Sequence, residues 1–221
     1  MLSSRLSHRL DRPLAPLVRH LARFGVSPNM LTVAGLIMSL AAGVVLAFGS
    51  LVLGGVFVLI GGFLDILDGT LARVAGKQSR FGGVLDSSLD RYSDIVPILG
   101  LMVHFSGWHR FTEMHLQNMI LCCAVIVGTF LVPYVRARAQ PLVGRCDVGI
   151  AERAERVIVF AGGLITGMEG IALWILAIIT HLTVIQRLYH THHRLREHSE
   201  TLGSTHEGAE EYVAPDAKSE L

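Results

Sequence analysis

Apolar residues run in long blocks between residues 31 and 186, and charged residues gather between the blocks. Leu31 to Phe48 carries no charge, nor does Leu116 to Val135, and each is long enough for a hydrocarbon core that a helix crosses in ~20 residues. Leu51 to Leu64 runs directly into Asp65, Ile95 to Phe105 follows an acidic segment, Val157 to Gly167 is broken by glycines, and Ile171 to Gln186 contains His181. The pattern predicts six helices, near residues 31–49, 51–74, 82–105, 115–138, 153–167 and 170–190. The fold class is thus an all-α polytopic membrane protein with six transmembrane helices.

Ahead of the first block, Leu6, Leu10, Leu14, Leu17, Leu21 and Phe24 recur at three- and four-residue steps with arginines between them. That spacing predicts an amphipathic helix on the membrane surface with its apolar stripe in lipid. Pro13 and Pro16 are expected to break it into two pieces. Ser27-Pro28-Asn29 then supplies an N-cap and a first-turn proline for the first span. Past His193 glutamates, serines and glycines dominate, with too little apolar surface to order the chain, so disorder is expected there. The organisation is a juxtamembrane segment 1–26, a six-helix domain 27–192 and a polar tail 193–221.

Composition agrees with a membrane setting: 51% of the 221 residues are hydrophobic and 17% charged, below the ~25% charged of soluble domains. The net charge of +1 conceals an asymmetry. Arg5, Arg9, Arg12, Arg19 and Arg23 precede the first span; Arg73, Lys77 and Arg80 fill the second connection; Arg136, Arg138, Arg145, Arg153 and Arg156 fill the fourth. The alternate connections hold little more than Arg110, Glu113 and Glu169, so the positive-inside rule puts both termini in the cytoplasm. Arginines interrupt the N-terminal apolar positions too often for a signal peptide, which leaves insertion to the first span. Cys122, Cys123 and Cys146 lack metal-ligand spacing and read as small filler and a loop thiol. His181, His190, His192 and His193 read as interfacial polar residues. No nucleic-acid partner is expected.

Asp65 and Asp68 are three residues apart, and Asp86 and Asp90 four apart, so each pair shares a helix face. Two neighbouring antiparallel helices joined by a short loop would gather all four carboxylates. Their repulsion and desolvation call for compensation, and two hard divalent cations would balance four charges. Mg²⁺ is expected, with Mn²⁺ as the alternative; zinc would have brought His or Cys. Paired ions suit phosphoryl chemistry. Gly69 and Gly82 would let a bulky ligand approach the backbone, and Arg73 can pair with a phosphate. On charge chemistry alone a proton or cation pathway fits the same carboxylates, and both readings stand.

These residues have the spacing Asp65-x-x-Asp68-Gly69-x-x-Ala72-Arg73, eight residues, Gly82-x-x-x-Asp86-x-x-x-Asp90. All eight specified positions match the signature of the CDP-alcohol phosphatidyltransferase family, which the chain resembles through Arg187; a chance match at a given start is on the order of 10⁻¹⁰. Pro28-Asn29-Met30-Leu31-Thr32 resembles the family's lead-in to the first span. The resemblance implies that Asp65, Asp68 and Asp86 bind metal, and that Asp90 both completes the metal site and acts as general base. It implies that Asn29, Thr32, Gly69, Ala72, Arg73, Ser79 and Gly82 border the CDP-lipid. It further implies a homodimer in a prokaryotic plasma membrane, with the active site on the cytoplasmic side.

Family members differ in the acceptor alcohol. Several guanidinium groups at the ends of the fourth, fifth and sixth spans favour a phosphorylated acceptor, since arginine forks grip a dianion and repel choline or ethanolamine. Positive-inside anchoring accounts for the same arginines, Arg145 and Arg138 above all. The Arg136-Ala-Arg138-Ala stretch, the Glu152-Arg153-Ala-Glu155-Arg156 element and Gln186-Arg187-Leu188 resemble the family's phosphatidylinositol phosphate and archaetidylinositol phosphate synthases. That resemblance implies inositol 1-phosphate as acceptor, its phosphate on Arg136, Arg156 and Arg187 with Arg153 close by; phosphatidylglycerol phosphate synthesis is the runner-up. Asp94 is either a fifth acidic contributor or the partner of Arg91 or of another helix-end arginine. Lipid-facing Leu, Val and Ile do not distinguish a diacyl from an ether lipid.

Overall fold

In the computed structural model the chain is helical: α1 (Leu2–Arg23), α2 (Pro28–Ala47), α3 (Leu51–Val74), α4 (Arg80–Ser106), α5 (Glu113–Val143), α6 (Arg153–Thr166) and α7 (Glu169–Glu210). The structure describes residues 2–74, 76, 79–107, 113–144, 146, 148–150 and 152–210. Lys77, Arg110, Arg145 and the end of the tail, 211–221, lie outside the described residues, as do the side chains of Arg5, Leu6, Arg9, Leu10, Arg12 and Glu113.

Local chemistry starts the helices where the sequence predicts. Ser27 Oγ accepts from the Met30 N–H at 3.3 Å and Pro28 opens α2. Ser79 Oγ caps α4 by accepting from the Gly82 N–H at 2.9 Å. Four helices are long and apolar enough to cross a membrane: α2, α3, α5 from His115, and α7 as far as Glu197. The chain is therefore a membrane protein. The aspartates and arginines in its first half make α4 more polar than these four, and α6, at 14 residues, extends only ~21 Å.

The helices close into a ring in which each contacts the next, in the order α2, α3, α6, α7, α5, α4 and back to α2. The ring interior is filled by side chains from all six, among them Leu46, Val58, Leu101, Val125, Leu164, Leu173 and Leu176. Glycine sets the closest crossing. A Cβ on Gly100 of α4 would strike the backbone carbonyl of Gly43 on α2, and neither chain has a flexible atom there to yield. Such small-residue contacts are the usual means of packing helices in lipid, where water does not drive apolar surfaces together.

Three features differ from the sequence-based expectation. Pro13 and Pro16 sit inside one continuous α1, because Leu14, Val18 and Leu21 pack onto Leu67 and Leu71 of α3 and hold the segment. Part of the predicted lipid stripe is thus spent on protein, while Leu17 and Phe24 remain exposed. Over the first part of the segment expected to be disordered, as far as Glu210, α7 continues as helix. Pairs such as His193 with Glu197, 3.2 Å apart, support a helix already nucleated by its packed half. Finally, α3 and α4 barely touch; α2 packs against both and holds them apart.

Gly100→Ala should lower the thermal midpoint in detergent by the equivalent of ~1–3 kcal/mol of overpacking. Gly162→Ala, which meets nothing within 4 Å, should leave it unchanged or raise it.

Candidate active site

The separation of α3 from α4 leaves a cleft at one end of the ring, and the signature residues line it. Asp65, Asp68 and Asp86 each offer an oxygen, and the three oxygens all lie within 4.8 Å of one another. Asp68 is buried, and both its Oδ2 and Asp86 Oδ1 lack any hydrogen-bond partner. Buried anionic oxygens left unpaired are costly. An all-oxygen set with two orphaned atoms fits a hard divalent cation.

Asp90 adjoins this trio: its carboxyl is within hydrogen-bond reach of Asp65, and the two share a small cavity with Asp68 and Arg153. It lies about one turn from Asp86, ~6 Å along the helix, and faces Arg153 of α6. Arg153 Nη1 is 2.8 Å from Asp90 Oδ1 and pairs with Asp65 Oδ1 as well; Arg91 Nη2 lies 3.5 Å from Asp90 Oδ2. The four carboxylates therefore lie together, with the Arg153 guanidinium against both Asp65 and Asp90.

Beside the trio is a cavity of ≈ 250 Å³ lined by Pro28, Asn29, Thr32, Asp68, Gly69, Ala72, Ser79, Gly82, Gly83 and Asp86. Six of the seven residues singled out for the CDP-lipid are in that wall. Arg73, exposed at the edge, is the seventh: its Nη1 lies 3.3 Å from where a Gly69 Cβ would be, and Nη2 donates to Thr70 Oγ1 at 3.3 Å. A Cβ on Gly82 would come within 2.8 Å of Ser79 Oγ and 3.5 Å of Asn29 Oδ1, so this glycine keeps both the α4 cap and the cavity clear. Pro28 and Gly83 were not foreseen, although each adjoins a residue that was.

On the other side of Asp90 are the arginines. Arg156 is buried and donates to Asp94 Oδ2 at 3.0 Å. Arg187, also buried, donates through Nε to the Val148 carbonyl at 2.9 Å and through Nη1 to the Val132 carbonyl, which ties the segment before α6 to α5 and α7. Arg136 is exposed, and both it and Arg156 lie within electrostatic reach of Arg187. Arg136 and Arg156 thus both lie in the neighbourhood of Arg187, and Arg153 stands between Arg156 and the carboxylates. Asp94 takes the second of its two predicted roles, with α6 arginines as partners rather than Arg91. The signal was legible in spacing: Asp90 and Asp94 share a face of α4, as Arg153 and Arg156 share a face of α6.

The sequence model of the CDP-alcohol phosphatidyltransferase family matches residues 25–185. The chain belongs to the CDP-alcohol phosphatidyltransferase family. That membership makes it an enzyme and closes the cation-pathway reading. Among its relatives is the archaetidylinositol phosphate synthase of Pyrococcus horikoshii, 36% identical over 87% of this chain and 97% of the relative. The phosphatidylinositol phosphate synthase of Mycobacteroides abscessus is 34% identical over 79% of this chain and 81% of its own. Crystal structures of the Mycobacterium tuberculosis phosphatidylinositol phosphate synthase are similar at 30% identity and a TM-score of 0.71. The complex with manganese and citrate covers 80% of this chain and 87% of its own; the complex with bound CDP-DAG covers 81% and 94%.

Gly82→Ala should raise the KM for a CDP-activated lipid ~10-fold through the crowded cavity, while Ser79→Thr, which retains the capping oxygen, should stay near wild type. Steady-state kinetics in mixed micelles checks both.

Proposed function

We propose that the chain transfers a phosphatidyl-type group from a CDP-activated lipid to inositol 1-phosphate and releases CMP. The observation that carries this reading is the order of three features at one end of the ring: the cavity walled by Asn29, Thr32, Gly69, Ala72, Ser79 and Gly82, then the carboxylates, then the arginines. A nucleotide in the cavity would present its phosphates to Asp65, Asp68 and Asp86, and an acceptor phosphate would sit on Arg136, Arg156 and Arg187. The names of the inositol phosphate relatives agree with that acceptor.

Asp65, Asp68, Asp86 and Asp90 would hold two divalent cations, Mg²⁺ or Mn²⁺, which would supply neutralisation of the charge that builds on the phosphates. Bound manganese in the Mycobacterium tuberculosis enzyme supports the metal class. Asp90 takes the proton of the attacking hydroxyl. The new bond joins that hydroxyl oxygen to the lipid-bearing phosphorus, and the bond from this phosphorus to the CMP oxygen breaks. Arg153, already against Asp90, holds the acceptor phosphate on the far side from the lipid. Arg73 and Asn29 fix the nucleotide.

The remaining parts of the reading concern placement. α4 and α6 complete the ring begun by four apolar helices, which supports six spans with both termini in the cytoplasm of a prokaryotic cell. The exposed face of α1, with Leu17 and Phe24, supports a surface position for that helix. A homodimer follows from the family resemblance.

An acceptor panel tests the function: purified protein with CDP-diacylglycerol or its ether analogue, Mg²⁺, and inositol 1-phosphate, inositol, glycerol 3-phosphate or serine. CMP release should require inositol 1-phosphate and cease with chelator. Release with glycerol 3-phosphate alone would reassign the chain to phosphatidylglycerol phosphate synthesis, and release with no acceptor would sink the transferase reading. Asp90→Asn should abolish transfer while CDP-lipid binding stays measurable. Arg156→Ala should raise the acceptor KM ~10–100-fold, and an unchanged KM would return the arginines to membrane anchoring.

A further inference from the structure

Asp94 belongs to neither the cavity nor the carboxylate trio, yet it has the most demanding surroundings of any acidic residue in the ring. Its side chain is 7% exposed, and both oxygens are engaged by α6: Oδ1 by Arg153 Nε at 3.0 Å and Oδ2 by Arg156 Nη2 at 3.0 Å. Arg153 is then pulled two ways. Its Nε is held by Asp94, while its Nη1 reaches Asp65 and Asp90, the carboxylates on the donor side. One guanidinium therefore meets three carboxylates, and Asp94 fixes both the plane of that guanidinium and the direction of its neighbour Arg156.

We infer that Asp94 is a positioning residue that divides the positive charge of α6 between the two halves of the site. By anchoring Arg153 through Nε it limits how far that cation neutralises Asp65 and Asp90, which keeps their charge for a divalent cation. By anchoring Arg156 it aims the fork that receives the acceptor phosphate. The acceptor half of this inference rests on the function proposed above; the cation half rests on the carboxylates alone. Neutralising Asp94 leaves Arg153 with only Asp65 and Asp90 of its three carboxylates, so a divalent cation must displace a more tightly held guanidinium.

Two variants separate charge from geometry. Asp94→Asn keeps the shape and removes the charge: Mn²⁺ affinity, read by electron paramagnetic resonance of the full chain without lipid, should fall ~10-fold, and the acceptor KM should rise ~10-fold. Asp94→Glu keeps the charge and shifts the carboxylate by one methylene. Its Mn²⁺ affinity should remain within about twofold of wild type while its acceptor KM rises at least ~5-fold with kcat little changed. A purely structural role would instead lower the thermal midpoint and kcat together without moving the Mn²⁺ titration. Wild-type values of Mn²⁺ affinity and acceptor KM in a folded Asp94→Asn overturn the inference. If that variant does not fold, an unchanged acceptor KM in Asp94→Glu overturns it. Should the wild type use no phosphorylated acceptor, the acceptor assignment fails by itself, and the Mn²⁺ titration still decides whether Asp94 governs Arg153.

Discussion

Arg153 enters the ring from the first turn of α6 and meets Asp65 of α3 together with Asp90 and Asp94 of α4. α4 and α6 are not neighbours in the ring, so this contact, with that of Arg156, spans its interior. It is a cross-brace made of charge, and the hydrogen bonds of Arg187 to the Val132 and Val148 carbonyls add a second polar tie. Buried ion pairs of this kind add little net stability over an apolar core, but removing one partner typically costs ~3–5 kcal/mol, since the other is left uncompensated. Their value here is geometric. The brace fixes the depth of α6 relative to α4, and with it the separation between the arginines and the carboxylates.

The cleft exists because α3 and α4 are kept apart. They are consecutive in the chain, and a tight hairpin of the two would have filled the space that the cavity occupies. Instead α2 lies against both, brought close to α4 by the bare backbones of Gly43 and Gly100 and to α3 by Gly35 and Gly61. Small residues on one helix thereby create open space between two others.

Most of this was legible in the sequence. The apolar blocks located six helices, all but the C-terminal ends of α5 and α7 to within three residues, and charge spacing placed the acidic pairs on common faces. The glycines beside them anticipated a cavity, and the wall at Asn29, Thr32, Ala72 and Ser79 came from the family resemblance. What was not legible depends on tertiary partners. Periodicity gives the face of α4 that bears Asp90 but not which helix stands opposite, so the capture of Asp90 by Arg153 was hidden. Proline propensity argued for a break in α1, and packing of Val18 on α3 overrode it. Polarity argued for disorder from His193 onward, but as far as Glu210 the chain extends an existing helix, which avoids the nucleation cost that an isolated segment would face.

The cavity lies where the N-terminal turns of α2 and α4 meet the C-terminal turns of α3, at the end of the ring rather than in its middle. A lipid-borne donor therefore needs to bring only its headgroup to the protein. Lifting acyl chains out of a bilayer costs ~0.8 kcal/mol for each methylene, tens of kcal/mol for two full chains, more than headgroup contacts could repay. A site at the end of the ring would spare that cost wherever it stands at the height of the headgroups, and the product would be released already anchored in the leaflet from which its precursor came.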